Sequence, residues 1–286
     1  MAPATTIAIL STLCEHTDGV FRSRDAADRG VSRNQLAHLA AAGVIERVLS
    51  GTYRMSAVAP STRQRLRAAL LWAGPGAAAA GRSAAEIYGL SGVTSAKPEI
   101  AVPRTSRVRS PEVIVHRPCD SRALLVRRVG GFPVTGVEPT LLVLGAGSKD
   151  RLLEIAFEDA RRRRVASTAS VRAFLDEHGA PGRPGVAALH RILGSVDPIQ
   201  PARSVLEVKT RRLLVAHGFT DFVREFPLAW NGRTYRFDFA FERNRTILET
   251  NGRRGHDEPT DYEWDNESGA CPPASAGASS SRRGKR

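Results

Sequence analysis

Lysine, cysteine and long apolar runs are scarce in this 286-residue chain, and each scarcity excludes something. The three cysteines, Cys14, Cys119 and Cys271, are odd in number and widely spaced, with no Cys-x-x-Cys pair. That usage argues against a disulfide framework or a zinc site and suits a reducing cytoplasm. No window reaches the roughly 18 uninterrupted apolar residues of a membrane-spanning helix. Residues 1–9 lack the basic and apolar regions of a secretory signal. A cytoplasmic protein with no membrane partner is expected. Only Lys97, Lys149, Lys209 and Lys285 are lysines among 42 cationic residues. So strong an arginine preference, with many alanines and glycines, reflects GC-rich coding, so arginine abundance alone says little about phosphate binding.

What is present is a 42% apolar composition, enough for packed cores and for two or three domains. The formal charge is +13, and four of the cations (Arg282, Arg283, Lys285 and Arg286) sit at the C-terminus. The remaining surplus still favours a polyanionic partner such as nucleic acid.

Residues 5–16 place Ile7, Leu10 and Leu13 at helical spacing, with Ala8 and Cys14 beside them. Asp18-Gly19 turns the chain, and Ser23 offers an N-cap to a short helix over residues 24–29 that Gly30 ends. Ser32 and Gln35 have the spacing of a capping box, opening a second helix that stops at Gly43. Its buried stripe is Leu36, Leu39 and Ala40, which leaves Ser32, Arg33, Asn34 and His38 on the open face, where a helix-turn-helix makes base contacts. Val44-Ile45 and Thr52-Tyr53 flank Ser50-Gly51 as a hairpin carrying Arg47 and Arg54, the place of a phosphate-contacting wing. Duplex DNA is the expected partner, and a small helical domain for protein contacts is the alternative.

The run from Val20 through Ala27, then Arg33-Asn34-Gln35-Leu36, Gly43-Val44-Ile45 and Gly51-Thr52-Tyr53-Arg54, resembles the N-terminal domain of AbiEi-type antitoxins. That resemblance implies a winged-helix regulator repressing its own operon, beside a gene for a nucleotidyltransferase toxin.

In the middle of the chain, residues 63–73 and 83–90 read as helices, and residues 99–102, 113–116 and 124–129 as strands. Phe132-Pro133-Val134-Thr135 leading into Thr140-Leu141-Leu142-Val143-Leu144 resembles the segment after the winged helix in the same antitoxins. The run Arg161 to Arg164 ends a helix beginning at Asp150, and is expected to be a solvated face aided by the helix dipole, with a phosphate patch as the alternative. His116, His178 and His190 read as ordinary surface. Residues 179–185 have linker composition, and a boundary is expected near residue 200.

From Ser204 a helix carries Leu206, Leu213 and Leu214, the acid Glu207 and a terminal Gly218. Residues 222–230 and 233–241 form strands joined by Asn231-Gly232, a strong hairpin signal, and residues 246–250 a third strand. If the second turn is centred between Arg243 and Asn244, positions whose numbers add to 487 pair, so Asp238 faces Glu249. Opposed carboxylates suggest a Mg²⁺ site, the alternative being two acids neutralised by Arg236 or Arg245. Glu207, Asp238, and Glu249-Thr250-Asn251-Gly252 followed by His256 resemble the PD-(D/E)XK nuclease fold, in the branch of very-short-patch-repair endonucleases. The resemblance implies Asp238 and Glu249 as metal ligands, Glu207 as a supporting carboxylate and His256 as proton acceptor. Asn251 departs from the signature lysine.

Residues 268–286 have no periodicity and no large apolar residue; disorder is expected, and inserting one nucleotide near Glu267 restores a strand-like reading. The expected architecture is α/β (α+β): a winged helix at 1–58, a mixed α/β region at 60–198, an incomplete nuclease-like domain at 203–267 and an out-of-frame tail. The expected function is a DNA-binding antitoxin and autoregulator with a degenerate nuclease-like domain; the alternative is a Mg²⁺-dependent endonuclease targeted by its winged helix.

Overall fold

The computed structural model describes residues 5–197, 201, 202, 204–230 and 233–250. The chain divides into two compact units, Met1–Ile199 and Gln200–Arg286, and the architecture is mixed α and β.

The first unit opens with helix α1 (Thr6–Cys14), strand β1 (Val20–Arg22), helices α2 (Ser23–Ala27) and α3 (Arg33–Ala41), and strands β2 (Ile45–Leu49) and β3 (Thr52–Met55). The strands form an antiparallel sheet in the order β1-β3-β2. Asp18 and Gly19 turn the chain into β1 with φ of 54° and 78°, a left-handed conformation that Gly and Asp adopt most readily. Leu10, Phe21, Ala26, Leu36 and Ile45 form the core, and Phe21 stacks on Tyr53 with ring centroids 5.7 Å apart. Burial pushes the Cys14 thiol in this core up to about 11. Strand β1 differs from the sequence reading, since three residues are too few to show alternation. It makes Arg22, not Ser23, the residue that precedes α2, and the Ser23 N–H donates instead to the Gly51 carbonyl at 2.9 Å.

Helix α4 (Thr62–Ala73) follows, its first turn capped by the Ser61 hydroxyl, which accepts from the Gln64 N–H at 3.0 Å. Next come β4 (Ala78–Ala79), α5 (Gly81–Ile87), β5 (Glu99–Ala101), β6 (Ile114–His116), β7 (Arg127–Val129) and β8 (Phe132–Val134). These strands lie in the order β6-β5-β4-β8-β7, parallel at β5–β6 and β4–β8 and antiparallel at β4–β5 and β7–β8. Leu66, Leu70, Ile100, Phe132 and Val134 fill the core between α4 and this sheet. Helices α6 (Val137–Gly147), α7 (Asp150–Arg162), α8 (Thr168–His178) and α9 (Val186–Ser195) build a separate helical core around Leu141, Leu153, Phe157, Val171 and Leu189.

Helix α4 packs against all three winged-helix strands and also against β4 and β5. Its buried Gln64 donates through Nε2 to the Asp18 carbonyl at 2.8 Å. Arg67 pairs with the Asp18 carboxylate at 3.1 Å, donates to the Gly131 carbonyl at 3.0 Å and lies 3.9 Å over the Phe132 ring. One side chain thereby joins the turn before β1 to the turn before β8.

Two polar features depart from the sequence reading. Arg161 is buried, not part of a solvated face; it donates to Glu158 at 2.9 Å and to the Asp197 carbonyl at 2.5 Å. Arg162 pairs with Asp159, and Arg163 donates to the Tyr88 and Gly89 carbonyls at 2.7 and 2.9 Å. Acids one turn earlier thus absorb most of the run. His116, expected as plain surface, meets the buried Glu99 carboxylate at 2.6 Å, and the other Glu99 oxygen accepts from the Arg82 N–H at 2.7 Å.

The second unit contains α10 (Val205–Ala216) and an antiparallel sheet of β9 (Val223–Trp230), β10 (Arg233–Phe241) and β11 (Thr246–Leu248), in the order β11-β10-β9. Phe239 is fully buried and meets Phe222 edge to face at 5.2 Å. The buried face of α10 carries Glu207, Val208 and Arg211, whereas Leu206 and Leu213 are exposed. Charge pairing, which periodicity does not register, decides which side turns inward. Asn231-Gly232, Asn251, His256 and the 268–286 tail lie outside the described residues.

Arg67→Ala removes a charge-assisted hydrogen bond, a carbonyl bond and a cation–π contact, and is expected to cost about 2 kcal/mol. Arg63→Ala, which loses one carbonyl bond and a more distant ring contact, is expected to cost about 1 kcal/mol or less. Urea unfolding of the two variants compares them; equal losses would contradict the role given to Arg67.

Candidate functional site

The start of α3 is built by reciprocal capping. The Gln35 N–H donates to Ser32 Oγ at 3.2 Å, and the Ser32 N–H donates to Gln35 Oε1 at 2.8 Å. Gln35 Nε2 also reaches Thr6 Oγ1 on α1 at 3.1 Å, tying the two helices together. Leu36 is buried behind this end, while Ser32, Arg33, Asn34 and His38 are all exposed. A first turn held this way presents hydroxyl, guanidinium and amide groups on a fixed backbone, which is what reading base edges requires.

Strands β2 and β3 form the hairpin, turning at Gly51 (φ 64°) with a register shift between Arg47 and Leu49. The two cations expected on it differ in circumstance. Arg47 is exposed, and its side chain makes no ion pair or hydrogen bond among the described residues. Arg54 is largely covered; it meets the Glu46 carboxylate at 2.5 and 2.9 Å and donates to the Val58 carbonyl at 3.0 Å. Arg54 therefore braces the hairpin, and Arg47 is the cation directed at solvent. At the start of α2, Asp25 accepts two hydrogen bonds from Arg22 at 2.7 and 2.8 Å, which raises the Arg22 guanidinium above its ordinary value.

In the second unit the pairs Phe239↔Leu248, Ala240↔Ile247 and Phe241↔Thr246 follow the register expected for this turn. The carboxylates that converge are Glu207, Glu225 and Asp238, with one oxygen from each lying within 4.8 Å of the others. Glu249 is half-buried and stands outside that cluster. Glu207 is almost fully buried and accepts from Arg224 at 2.7 and 3.2 Å. Asp238 Oδ2 accepts from the Thr250 N–H at 2.7 Å and from the Thr250 hydroxyl.

Glu225 went unread in the sequence, although the signal was present. Between β9 and β10 Phe237 pairs with Phe226 and Phe239 with Arg224. The same register arithmetic that aligned Asp238 with Glu249 aligns it with Glu225 on the other flank. Glu225 itself has a φ of 51°, which no composition signal marks.

Helix α3 presenting its capped N-terminus beside a β-hairpin, over a core shared with α1, defines residues 6–55 as a winged helix. Residues 14–56 match the profile of a family described as "Transcriptional regulator, AbiEi antitoxin". A crystal structure of the RV2827C protein from Mycobacterium tuberculosis is similar to this chain at 21% identity and a TM-score of 0.49, covering 78% of this chain and 88% of that one. No curated protein matches the sequence significantly. Among the described residues no helix is long and apolar enough to cross a membrane.

The contrast between the two wing cations is measurable without DNA. Arg54→Ala is expected to cost about 1 kcal/mol through loss of a charged pair and a carbonyl bond. Arg47→Ala is expected to change stability by less than about 0.5 kcal/mol, as for other exposed positions. Thermal and urea unfolding of both variants check the difference.

Proposed function

We propose that the chain is a DNA-binding transcriptional regulator of the antitoxin type, which binds operator DNA through its winged helix. The observation that carries the reading is the doubly capped start of α3, which leaves Ser32, Arg33, Asn34 and His38 exposed together. The family match over residues 14–56 supports it. Arg33 and Asn34 read base edges, with Ser32 and His38 flanking them, and Arg47 holds a phosphate while Arg54 keeps the hairpin in place. A nucleotidyltransferase toxin encoded alongside is the partner that follows from such an antitoxin.

The test is binding of the full chain to its own promoter region across a salt series. Arg47→Ala is expected to weaken all sequences alike and to lower the log–log salt slope by about one phosphate contact. Asn34→Ala is expected to narrow the gap between operator and unrelated DNA by about 1–3 kcal/mol. Salt-insensitive or absent binding by the unaltered chain would falsify the proposal.

A second reading, a Mg²⁺ site in a nuclease-like second unit, is favoured by the cluster of Glu207, Glu225 and Asp238. Its all-oxygen donor set suits a hard divalent cation, with Arg224 sharing the Glu207 carboxylate. When bound, Mg²⁺ stabilises charge on phosphoryl oxygens; the protein's part is to hold the three carboxylates at that spacing. His256 as proton acceptor lies outside the described residues, so the reading rests on the cluster alone. With Mn²⁺ as a paramagnetic probe, the full chain is expected to bind one ion, at least tenfold more weakly after Asp238→Asn or Glu225→Gln. Glu249→Gln is expected to change affinity less than twofold. Mn²⁺ binding that survives Asp238→Asn removes this reading.

A further inference from the structure

Beneath the wing lies a cavity of about 310 Å³ whose apolar walls the DNA-binding reading does not use. Its walls come from Val20 of β1, Val48 and Leu49 of β2, Ala68 of α4, Pro98, and Val113. Val20, Ala68 and Val113 are buried, so the lining is supported from behind by packed structure. The size lies at the lower end of the range for small-molecule sites, which are mainly apolar with a few placed polar groups.

The polar groups at its edge are mostly cationic. Arg47, Arg54, Arg65 and Lys97 line it against two acids, Glu46 and Glu112. Glu46 is already engaged by Arg54. Lys97 Nζ donates to the Pro111 carbonyl at 2.8 Å, which leaves two of its three N–H groups. Arg47 and Arg65 are exposed, and their guanidiniums make no ion pair or hydrogen bond among the described residues. Apolar walls with two uncommitted guanidiniums and Lys97 outweigh the one remaining acid, Glu112, and suit a small apolar molecule with a single anionic head. A carboxylate is the smallest head that takes two parallel N–H bonds from one guanidinium, and it adds only one charge.

We propose that this cavity binds a small apolar monocarboxylate, its tail between β2 and α4 and its head on Arg65 and Arg47, and that occupancy weakens DNA binding. The regulatory half rests on the DNA-binding reading, because Arg47 is the wing cation assigned there to a phosphate. A ligand carboxylate and a DNA phosphate compete for the same guanidinium. Loss of one phosphate contact lowers the salt slope by about 0.9 and leaves base readout by α3 untouched.

Decanoate and its uncharged analogue decanol are the probes, titrated calorimetrically into the full chain without DNA. Saturable one-to-one binding of decanoate is expected, with decanol at least tenfold weaker. Arg65→Glu is expected to cut decanoate affinity at least tenfold, since it replaces an exposed cation without disturbing the walls. Ala68→Phe fills the cavity and is expected to abolish binding; if it fails to fold, Arg65→Glu and the decanol comparison decide the matter. Equal affinity for decanoate and decanol, or binding unaffected by Arg65→Glu, overturns the site. Saturating decanoate is then expected to weaken binding to promoter DNA several-fold at low salt. If ligand binds and DNA affinity stays constant, the competition is wrong while the site stands. If the ligand-free chain binds no DNA, the regulator reading and the competition fall together, and the calorimetry still decides the cavity.

Discussion

The contact on which the first unit most depends is the one that α4 makes with the turn before β1. Asp18 sits there with a positive φ, and neither its backbone carbonyl nor its carboxylate is left to solvent alone, because Gln64 and Arg67 reach them from α4. The same Arg67 covers Phe132, one of the fully buried rings of the five-stranded sheet. Burying a phenylalanine contributes about 1.5–3 kcal/mol, and a cation held over the ring adds to that without breaking the apolar layer. Winged helix and sheet therefore share a structural element instead of being joined by a tether, and the hairpin that carries Arg47 is placed by the packing of α4 beneath it.

The formal charge of +13 is a net figure, and many of the 42 cationic residues behind it are paired with carboxylates at short range. Arg22, Arg54, Arg67, Arg161, Arg191 and Arg224 all meet a carboxylate within hydrogen-bonding distance. Arginine here is as much a structural residue as a surface one, bridging elements through carboxylates and carbonyls with its fixed fork of donors. What remains for an external polyanion is a smaller set of uncommitted cations, Arg33 and Arg47 among them.

Local patterns in the sequence were legible wherever one side chain answers another a few residues away. Ser32 and Gln35 specify the start of α3 by their spacing alone, and the register of β10 with β11 follows from the turn between them. Legibility failed where the deciding partner is distant in sequence. Arg161 reaches, besides its near partner Glu158, the Asp197 carbonyl 36 residues on, and His116 is paired because β5 brings Glu99 beside it. The inward face of α10 is likewise set at a distance, since Glu207 is held by Arg224 from the first strand of the hairpin. Glu225 is the instructive case: the register rule was in hand but was applied to only one of the two strands flanking Asp238.

The conformation of Glu225 has a consequence for how this chain can change over generations. A glutamate at φ 51° carries a backbone cost of about 1–3 kcal/mol that glycine would not. Any glutamate codon becomes a glycine codon by one A-to-G transition. That single substitution relaxes the strand and deletes a carboxylate from the cluster in the same step. Relief of backbone strain and decay of the acidic site therefore run in the same direction, and the contacts of the buried carboxylate oppose them.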